Sequence, residues 1–407
     1  MPTDRLYYHD SFLFEFDARV LESFGQDGRH VVVLDRTAFY PTSGGQVHDT
    51  GKILGGGREF SVTEVAEDDG SQILHYVTEP LQADTVVRGQ IDPSRRVDHI
   101  QQHTGQHVLS AAFIQLFNMP TVSFHMGAET CTIDLQTQSL SPEQAEKAER
   151  LSNQIIAEDR PVSIRFVPLE EARQLGLRKL PTKQTGELRL IDIQNFDLTA
   201  CGGTHVRATG QIGSILVRKT EKMKQGLRVE FVCGLRAVAL ARADFTTLTQ
   251  AAGLFSAHIH KLPQQIRKSL DEAKAGSKVQ QKLLEELAGF EAERMLAQGG
   301  GSPRVIARVF AERNASFIKL MAQKLTAARN DVIALLAALQ PQPTLVFPQS
   351  PGQKFNMGQL LKELLAQRGG RGGGSADMAQ GGLPPGSADF DVLTKLLQQA
   401  SATLDHS

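Results

Sequence analysis

At 407 residues, and taking roughly 100 to 200 residues per domain, the chain is expected to hold two to four domains. Its 44 Lys and Arg nearly balance 45 Asp and Glu, so net charge selects no class of partner. Three widely spaced cysteines, Cys131, Cys201 and Cys233, exclude a disulfide framework and point to a reducing, cytoplasmic setting, while the lack of an apolar signal core or any run of membrane-span length argues against a membrane partner.

The pattern along the chain predicts an α+β protein. Residues 1–90 alternate short apolar runs (Val31 to Leu34, Ile73 to Val77, Val86-Val87) with glycine punctuation at Gly44-Gly45 and Gly55 to Gly57, which reads as a small β-barrel. From Arg95 to Asn118, Val97, Ile100, Val108, Ala111, Ile114 and Phe117 recur at helical spacing, a buried stripe with His103 and His107 near its edge. Ser141-Pro142-Glu143-Gln144 supplies an N-cap, a first-turn proline and a capping-box Gln for a helix running to Ile156. Val162 to Phe166, Leu188 to Ile193, Ile215 to Val217 and Val229 to Val232 read as strands, making residues 91–240 an α+β domain of helices on an antiparallel sheet.

Residues 241–300 differ. Ile266, Leu270, Ala273, Leu283, Leu287 and Phe290 recur at three- and four-residue steps amid dense charge, a long helix or helical hairpin with Gly276 as a candidate break. This segment reads either as a spacer or oligomerisation arm or as a helix packed on its own domain. Gly299 to Pro303 marks a boundary, and residues 301–407 alternate strands with helices as a small α/β domain. Within it, Arg371 to Gly382 reads as a glycine-rich loop; glycine tracts are usually flexible, but Arg368, Arg371 and Gln380 among glycines that permit close backbone approach suit a phosphate backbone.

One constellation carries chemistry. His103 and His107 stand at i and i+4 on a helix, and Cys201-Gly-Gly-Thr-His205 flanks a turn that can fold a thiolate and an imidazole to one point, so together they offer four ligands for one Zn²⁺. A zinc peptidase is excluded, because its helix carries Glu after the first His where this chain has Thr104. A hydrolase of a weaker bond and a purely structural zinc both remain open. Arg173, Arg178, Lys179 and Lys183, then Arg218, Lys219, Lys222, Lys224 and Arg228, flank the second ligand pair and read either as phosphate collectors or as solvated surface. Cys131 and Cys233, in apolar strand contexts, read as core residues, and His48 and His99 as structural histidines or contacts around the site.

These residues resemble the editing domain of alanyl-tRNA synthetase and its free-standing relatives, the AlaX-type alanyl-tRNA editing proteins. The resemblance extends from the four zinc residues to three further stretches: Leu34 to Gln46, similar to the family's glycine-bearing barrel motif; Thr121 to Gly127, similar to its amino-acid pocket loop; and Arg371 to Gly382, similar to the glycine-rich motif of the synthetase's carboxy-terminal tRNA-binding domain, with Arg371 as an extra basic residue. With the barrel beginning at once and no ATP-binding half before it, the organisation expected is that of a long AlaX protein acting in trans, without aminoacylation.

The resemblance implies deacylation of mischarged tRNA(Ala), carrying serine or glycine, by zinc-dependent ester hydrolysis, with the four ligand residues holding an ion that orients the substrate or a water. It implies a substrate pocket drawn from Thr37, Gln46, Thr121, Ser123 and His125. Alanine lies between glycine and serine in size, so only a hydrogen bond to the serine hydroxyl separates serine from it, and Thr121 and Thr37 are the first candidates. tRNA contacts are expected from Arg218, Lys219, Lys222, Lys224, Arg368, Arg371 and Gln380, and a homodimer through the helical arm or the C-terminal domain. The competing readings are a zinc hydrolase of another ester or thioester and a non-catalytic tRNA-binding protein with a structural zinc.

Overall fold

Strands β1 (Asp4–Arg5), β2 (Glu15–Gln26), β3 (Arg29–Leu34), β4 (Arg36–Thr37), β5 (Gly51–Gly55), β6 (Arg58–Glu67), β7 (Ile73–Val77) and β8 (Val86–Ile91) build the amino-terminal region. Six of them close a barrel in the order β2-β3-β7-β6-β5-β8, because alternate residues such as Val20, Val32, Ile53, Val62 and Val87 turn inward and fill it. The computed structural model describes residues 3–178, 186–298 and 303–405, in two units, Met1–Gln250 and Ala251–Ser407.

His75 is fully buried inside the barrel wall, where its Nδ1–H donates to the Val32 carbonyl (3.0 Å) and its Nε2 accepts from the Thr37 hydroxyl (2.9 Å). Burial pushes its pKa from 6.5 down to about 4. The unfolded chain therefore takes up this proton first as pH falls, so stability is intact above about 6.5 and is lost between there and about 4, by about 3 kcal/mol. Urea midpoints measured across this window should drop for the native chain and drop less for His75→Gln; parallel curves would contradict the assignment.

The barrel leads into α1 (Pro93–Phe117), capped by the Asp92 carboxylate, which accepts from the Ser94 and Arg95 amides at 2.9 and 3.3 Å, and ended by Asn118 in the left-handed region. Then follow β9 (Thr121–Met126), β10 (Cys131–Leu135), α2 (Pro142–Ala157), β11 (Val162–Pro168), α3 (Leu169–Ala172), β12 (Glu187–Ile193), β13 (Asp197–Ala200), β14 (Ile215–Met223), β15 (Gly226–Cys233) and α4 (Gly234–Leu254). Two antiparallel sheets result, β14-β15-β10-β9 and β11-β12-β13, and the core between them and the helices includes Ile100, Val108, Phe113, Ile133, Ile155, Ile191 and Phe231. The capping box at Ser141 and Gln144 forms as the sequence predicts.

Two expectations change. α1 does not bury a single stripe: every residue from Gln102 to Phe113 is buried, so His103 and His107 lie in the interior rather than near an edge. Its polar positions are satisfied inside, as where the Gln102 amide donates to the Cys233 carbonyl (2.9 Å) and accepts from the Cys233 amide (2.8 Å). Thr121 to Met126, expected as a loop, is the edge strand of the four-stranded sheet.

In the second unit α5 (Leu262–Gln298) is one continuous helix through Gly276. Its last third packs Ala288, Ala292 and Met295 into a core with Phe317, Ile318 and Met321, while Leu270, Val279, Leu283 and Phe290 stay exposed. Strand β16 (Arg304–Phe310), helix α6 (Ala315–Ala328), β17 (Val332–Ala338), β18 (Thr344–Pro348), α7 (Met357–Ala366), β19 (Arg371–Gly374), β20 (Met378–Gly382) and α8 (Phe390–Asp405) follow, with the sheet ordered β16-β17-β18-β20-β19. The glycine-rich segment is thus a β-hairpin at a sheet edge and not a loop. A Cβ on Gly381 would stand 2.2 Å from Leu365 Cδ1, so glycine is needed for α7 to lie directly on the hairpin.

Candidate metal centre

α1 carries His103 and His107 on one face, and the turn after β13 brings Cys201 and His205 to the same place. The ligand-capable atoms of the four all lie within 4.8 Å of one another, and the Cys201 Sγ is 3.3 Å from Nε2 of both His103 and His205. Zn–S near 2.3 Å and Zn–N near 2.0 Å in a tetrahedron put neighbouring donors roughly 3.5 Å apart, so the set fits a metal ion of that size. The turn is tight by necessity, because a Cβ on Gly203 would fall 2.1 Å from the His103 ring.

Each histidine is oriented from behind. His103 Nδ1–H donates to Gln46 Oε1 (2.7 Å), and His205 Nδ1–H to Thr104 Oγ1 (3.3 Å), whose own hydroxyl is spent on the Ile100 carbonyl (2.9 Å). His107 Nδ1 faces Asp197 Oδ2 at 3.4 Å, and Asp197 is gripped by Arg178 through Nε (2.7 Å) and Nη2 (3.0 Å). These bonds hold the proton on the outer nitrogens of His103 and His205 and turn their Nε2 atoms towards the thiol, the arrangement metal-binding imidazoles require. Burial pushes the Cys201 thiol up, but His103, His205 and His107 outweigh it and hold the group well below the usual thiol range. Burial likewise raises the Asp197 carboxyl, and His107 with Arg178 more than reverses this.

A cavity of about 170 Å³ reaches this cluster, lined by His103, His107 and Cys201 on one side and by Gln106, Thr121 and Phe124 on another. Thr121 donates to Ser110 Oγ (2.7 Å), which also accepts from Gln106 Nε2 (2.8 Å), so one wall is a small polar network. Ser123 lines the cavity too, but its hydroxyl donates to Asp134 (2.6 Å). The other expected pocket residues lie elsewhere. His125 is exposed on β9 outside the cavity lining. Gln46 is fully buried behind His103, with Oε1 also accepting from the Thr204 amide (3.1 Å) and Nε2 donating to the Thr204 hydroxyl (2.8 Å), so it positions a ligand residue instead of facing the cavity. Thr37 is inside the barrel, its hydroxyl donated to His75 and accepting from the Phe39 amide (3.1 Å), with no donor left for a substrate.

Asp197, Thr104, Gln106 and Ser110 were not legible as site residues, since nothing local separates them from other polar residues of a helix or strand. Arg178, read as a phosphate collector, is held in its ion pair with Asp197. Lys179 and Lys183 lie outside the described residues. Arg218 pairs with Asp244, Lys219 with Glu221 (3.1 Å) and Arg228 with Asp134 (2.7 Å), whereas Lys222 and Lys224 are exposed and carry no ion pair among the described residues. Arg368, Arg371 and Gln380 are exposed at and beside the hairpin. Cys131 and Cys233 are buried in the core, and His99 is buried with its Nδ1 unpartnered.

Residues 7–95 match the family of class II (A) tRNA synthetases, residues 188–230 the threonyl and alanyl tRNA synthetase second additional domain, and residues 301–403 the DHHA1 domain. The chain is 32% identical over 403 residues to the alanine–tRNA ligase of Pyrococcus abyssi and 32% over 394 residues to that of Pyrococcus furiosus, each alignment covering 93% of this chain and 42% of the ligase. It thus spans about two-fifths of the length of those ligases. Against the alanyl-tRNA editing protein AlaX-L of Pyrococcus horikoshii it is 31% identical over 405 residues, covering 97% of this chain and 98% of that protein. With similarity running nearly end to end in both, the chain belongs to the AlaX-L family of alanyl-tRNA editing proteins.

Proposed function

We propose that this protein is a trans-editing deacylase, acting without aminoacylation, that cleaves the ester of tRNA(Ala) charged with serine and, less readily, glycine. The observation that carries the reading is the cavity that ends on His103, His107 and Cys201, in a chain whose relatives include an alanyl-tRNA editing protein and alanine–tRNA ligases. One thiolate and three imidazoles are the donor set of zinc. Bound there, zinc would supply Lewis acidity towards the ester.

The residues around it do the selecting. At about 170 Å³ the cavity lies below the range for drug-sized ligands and suits a small amino acid. Thr121 gives its proton to Ser110, so its oxygen is left to accept from a serine hydroxyl; alanine brings no donor and leaves that oxygen unpaired. Gln106 and Ser110 hold the Thr121 hydroxyl in this orientation. tRNA contacts are drawn from two separate groups, Arg218, Lys219, Lys222 and Lys224 in the first unit and Arg368, Arg371 and Gln380 in the second. The exposed apolar row of α5, from Leu270 to Phe290, is the proposed contact of a homodimer.

The test is to incubate the protein with Ser-, Gly- and Ala-charged tRNA(Ala), with and without a chelator, and follow the charged fraction. Ser-tRNA(Ala) should be discharged fastest, Ala-tRNA(Ala) spared, and the chelator should stop the reaction. A second reading has one observation in its favour: four protein ligands can close a zinc site completely, which is the form of a structural centre. Tight tRNA binding with no loss of charge would establish that reading and reject the first.

A further inference from the structure

A second cavity, of about 270 Å³, shares two lining residues, Ala200 and Cys201, with the first. It sits over a row that crosses three strands. Phe166 on β11 is the direct partner of Arg189 on β12, and the Cys201 amide reaches the Arg189 carbonyl (3.2 Å) at the end of β13. Glu187, two residues before Arg189 and on the same face, and Tyr8 complete the walls.

Arg189 is the unusual group. It is 8% exposed, donates through Nε to the Tyr8 carbonyl (2.9 Å) and through Nη1 to the Cys201 carbonyl (2.6 Å), and no carboxylate pairs with it among the described residues. Its Nη2 is buried with no partner. A buried guanidinium with no carboxylate partner and one nitrogen left without an acceptor is costly, and a ligand oxygen carrying negative charge would supply both. Beside it stand two aromatic surfaces, the Tyr8 ring, with the Arg189 guanidinium 5.4 Å from its centre, and Phe166, which is 40% exposed. A flat heterocycle joined to an anionic group matches this lining: stacking on aromatics, a phosphate on the arginine, and the Glu187 carboxylate as acceptor for an exocyclic amine.

We propose that this cavity is the subsite for the terminal adenosine nucleotide of the charged tRNA. The amino acid then occupies the smaller cavity, and the ester joining the two lies at Cys201, where the cavities meet. The assignment rests on the deacylase reading for the source of the nucleotide, while the nucleotide site itself rests on Arg189, Phe166 and Tyr8.

Adenosine 5′-monophosphate is the probe, titrated into the full-length zinc-loaded protein by calorimetry and by NMR, alongside Michaelis curves with Ser-tRNA(Ala). The native chain should bind it saturably. Phe166→Ala removes a half-exposed ring and should weaken the probe about tenfold and raise KM by a similar factor, with the change falling on KM and not on kcat. Arg189→Lys should weaken the probe at least as much; because Arg189 also ties down the Cys201 turn, Phe166→Ala is the deciding variant. Equal probe affinity in the native chain and Phe166→Ala, or no saturable binding at millimolar probe, overturns the subsite. Deacylation by the native chain with unaltered Phe166→Ala kinetics would reject the subsite and keep the deacylase; probe binding lost in both variants without deacylation would keep the subsite and reject the deacylase.

Discussion

His103→Ala should strip the protein of its metal and reduce Ser-tRNA(Ala) deacylation to the uncatalysed rate, a loss of more than about 100-fold. The scale follows from what the side chain holds. Removing a partner behind a metal-bound histidine costs about 10- to 100-fold in metal affinity or activity, and removing the histidine itself takes away both that partner's hold and the donor. In this chain the two are one unit: Gln46 Oε1 fixes the His103 tautomer, the Thr204 amide and hydroxyl fix Gln46, and the Cys201 Sγ stands 3.3 Å from the Nε2 so exposed. Metal content by mass spectrometry, read beside the charge remaining on tRNA, checks both halves. A variant that keeps one equivalent of metal would show that His103 is not a ligand.

Asp49→Ala should cost about 3–5 kcal/mol of folding stability, because it strands a buried cation. Arg96 and Asp49 are both fully buried; Arg96 Nη2 meets Asp49 Oδ2 at 2.5 Å, and Nε meets both carboxylate oxygens at 3.1 Å. The same guanidinium donates to the carbonyls of Ser11 (2.8 Å) and Ala38 (2.5 Å), and Asp49 accepts from the Tyr40 amide (2.6 Å). The pair therefore locks the barrel loop that carries Gln46 to the first turn of α1, three residues beyond the loop's glutamine and two turns before His103. Urea unfolding of the metal-free protein isolates this term from metal binding, and a loss under about 1 kcal/mol would mean that water or a neighbour replaces the carboxylate.

The clustering of His103, His107, Cys201 and His205 was legible because metal chemistry limits candidate donors to a few residue types and because a helix converts i,i+4 spacing into a shared face. The capping box at Ser141 and the alternating barrel strands were legible for the same reason, as local geometry writes itself into local spacing. Thr37 shows the opposite case. In the sequence it sits in the barrel motif as a free hydroxyl, and only the fold reveals His75, far along the chain, waiting to take its proton. Gln46 likewise reads as a pocket residue beside two glycines until Thr204 and His103 are seen to use up both ends of its amide.

Composition and spacing settled the α+β class, the barrel, the helical character of the segment after residue 262 and the candidate donor set, each a matter of residues near one another in the chain or of an element's own period; that Leu262–Gln298 is one helix and not a hairpin was left to the structure. Which polar side chains stand behind those donors, that α1 is enclosed on every side from Gln102 to Phe113, that the glycine-rich segment is a hairpin under α7 and that Arg189 looks into an open cavity were decided by contacts between distant segments. A buried hydrogen bond depends on where two strands or a helix and a turn come to rest, and no periodicity in either partner records the other's position.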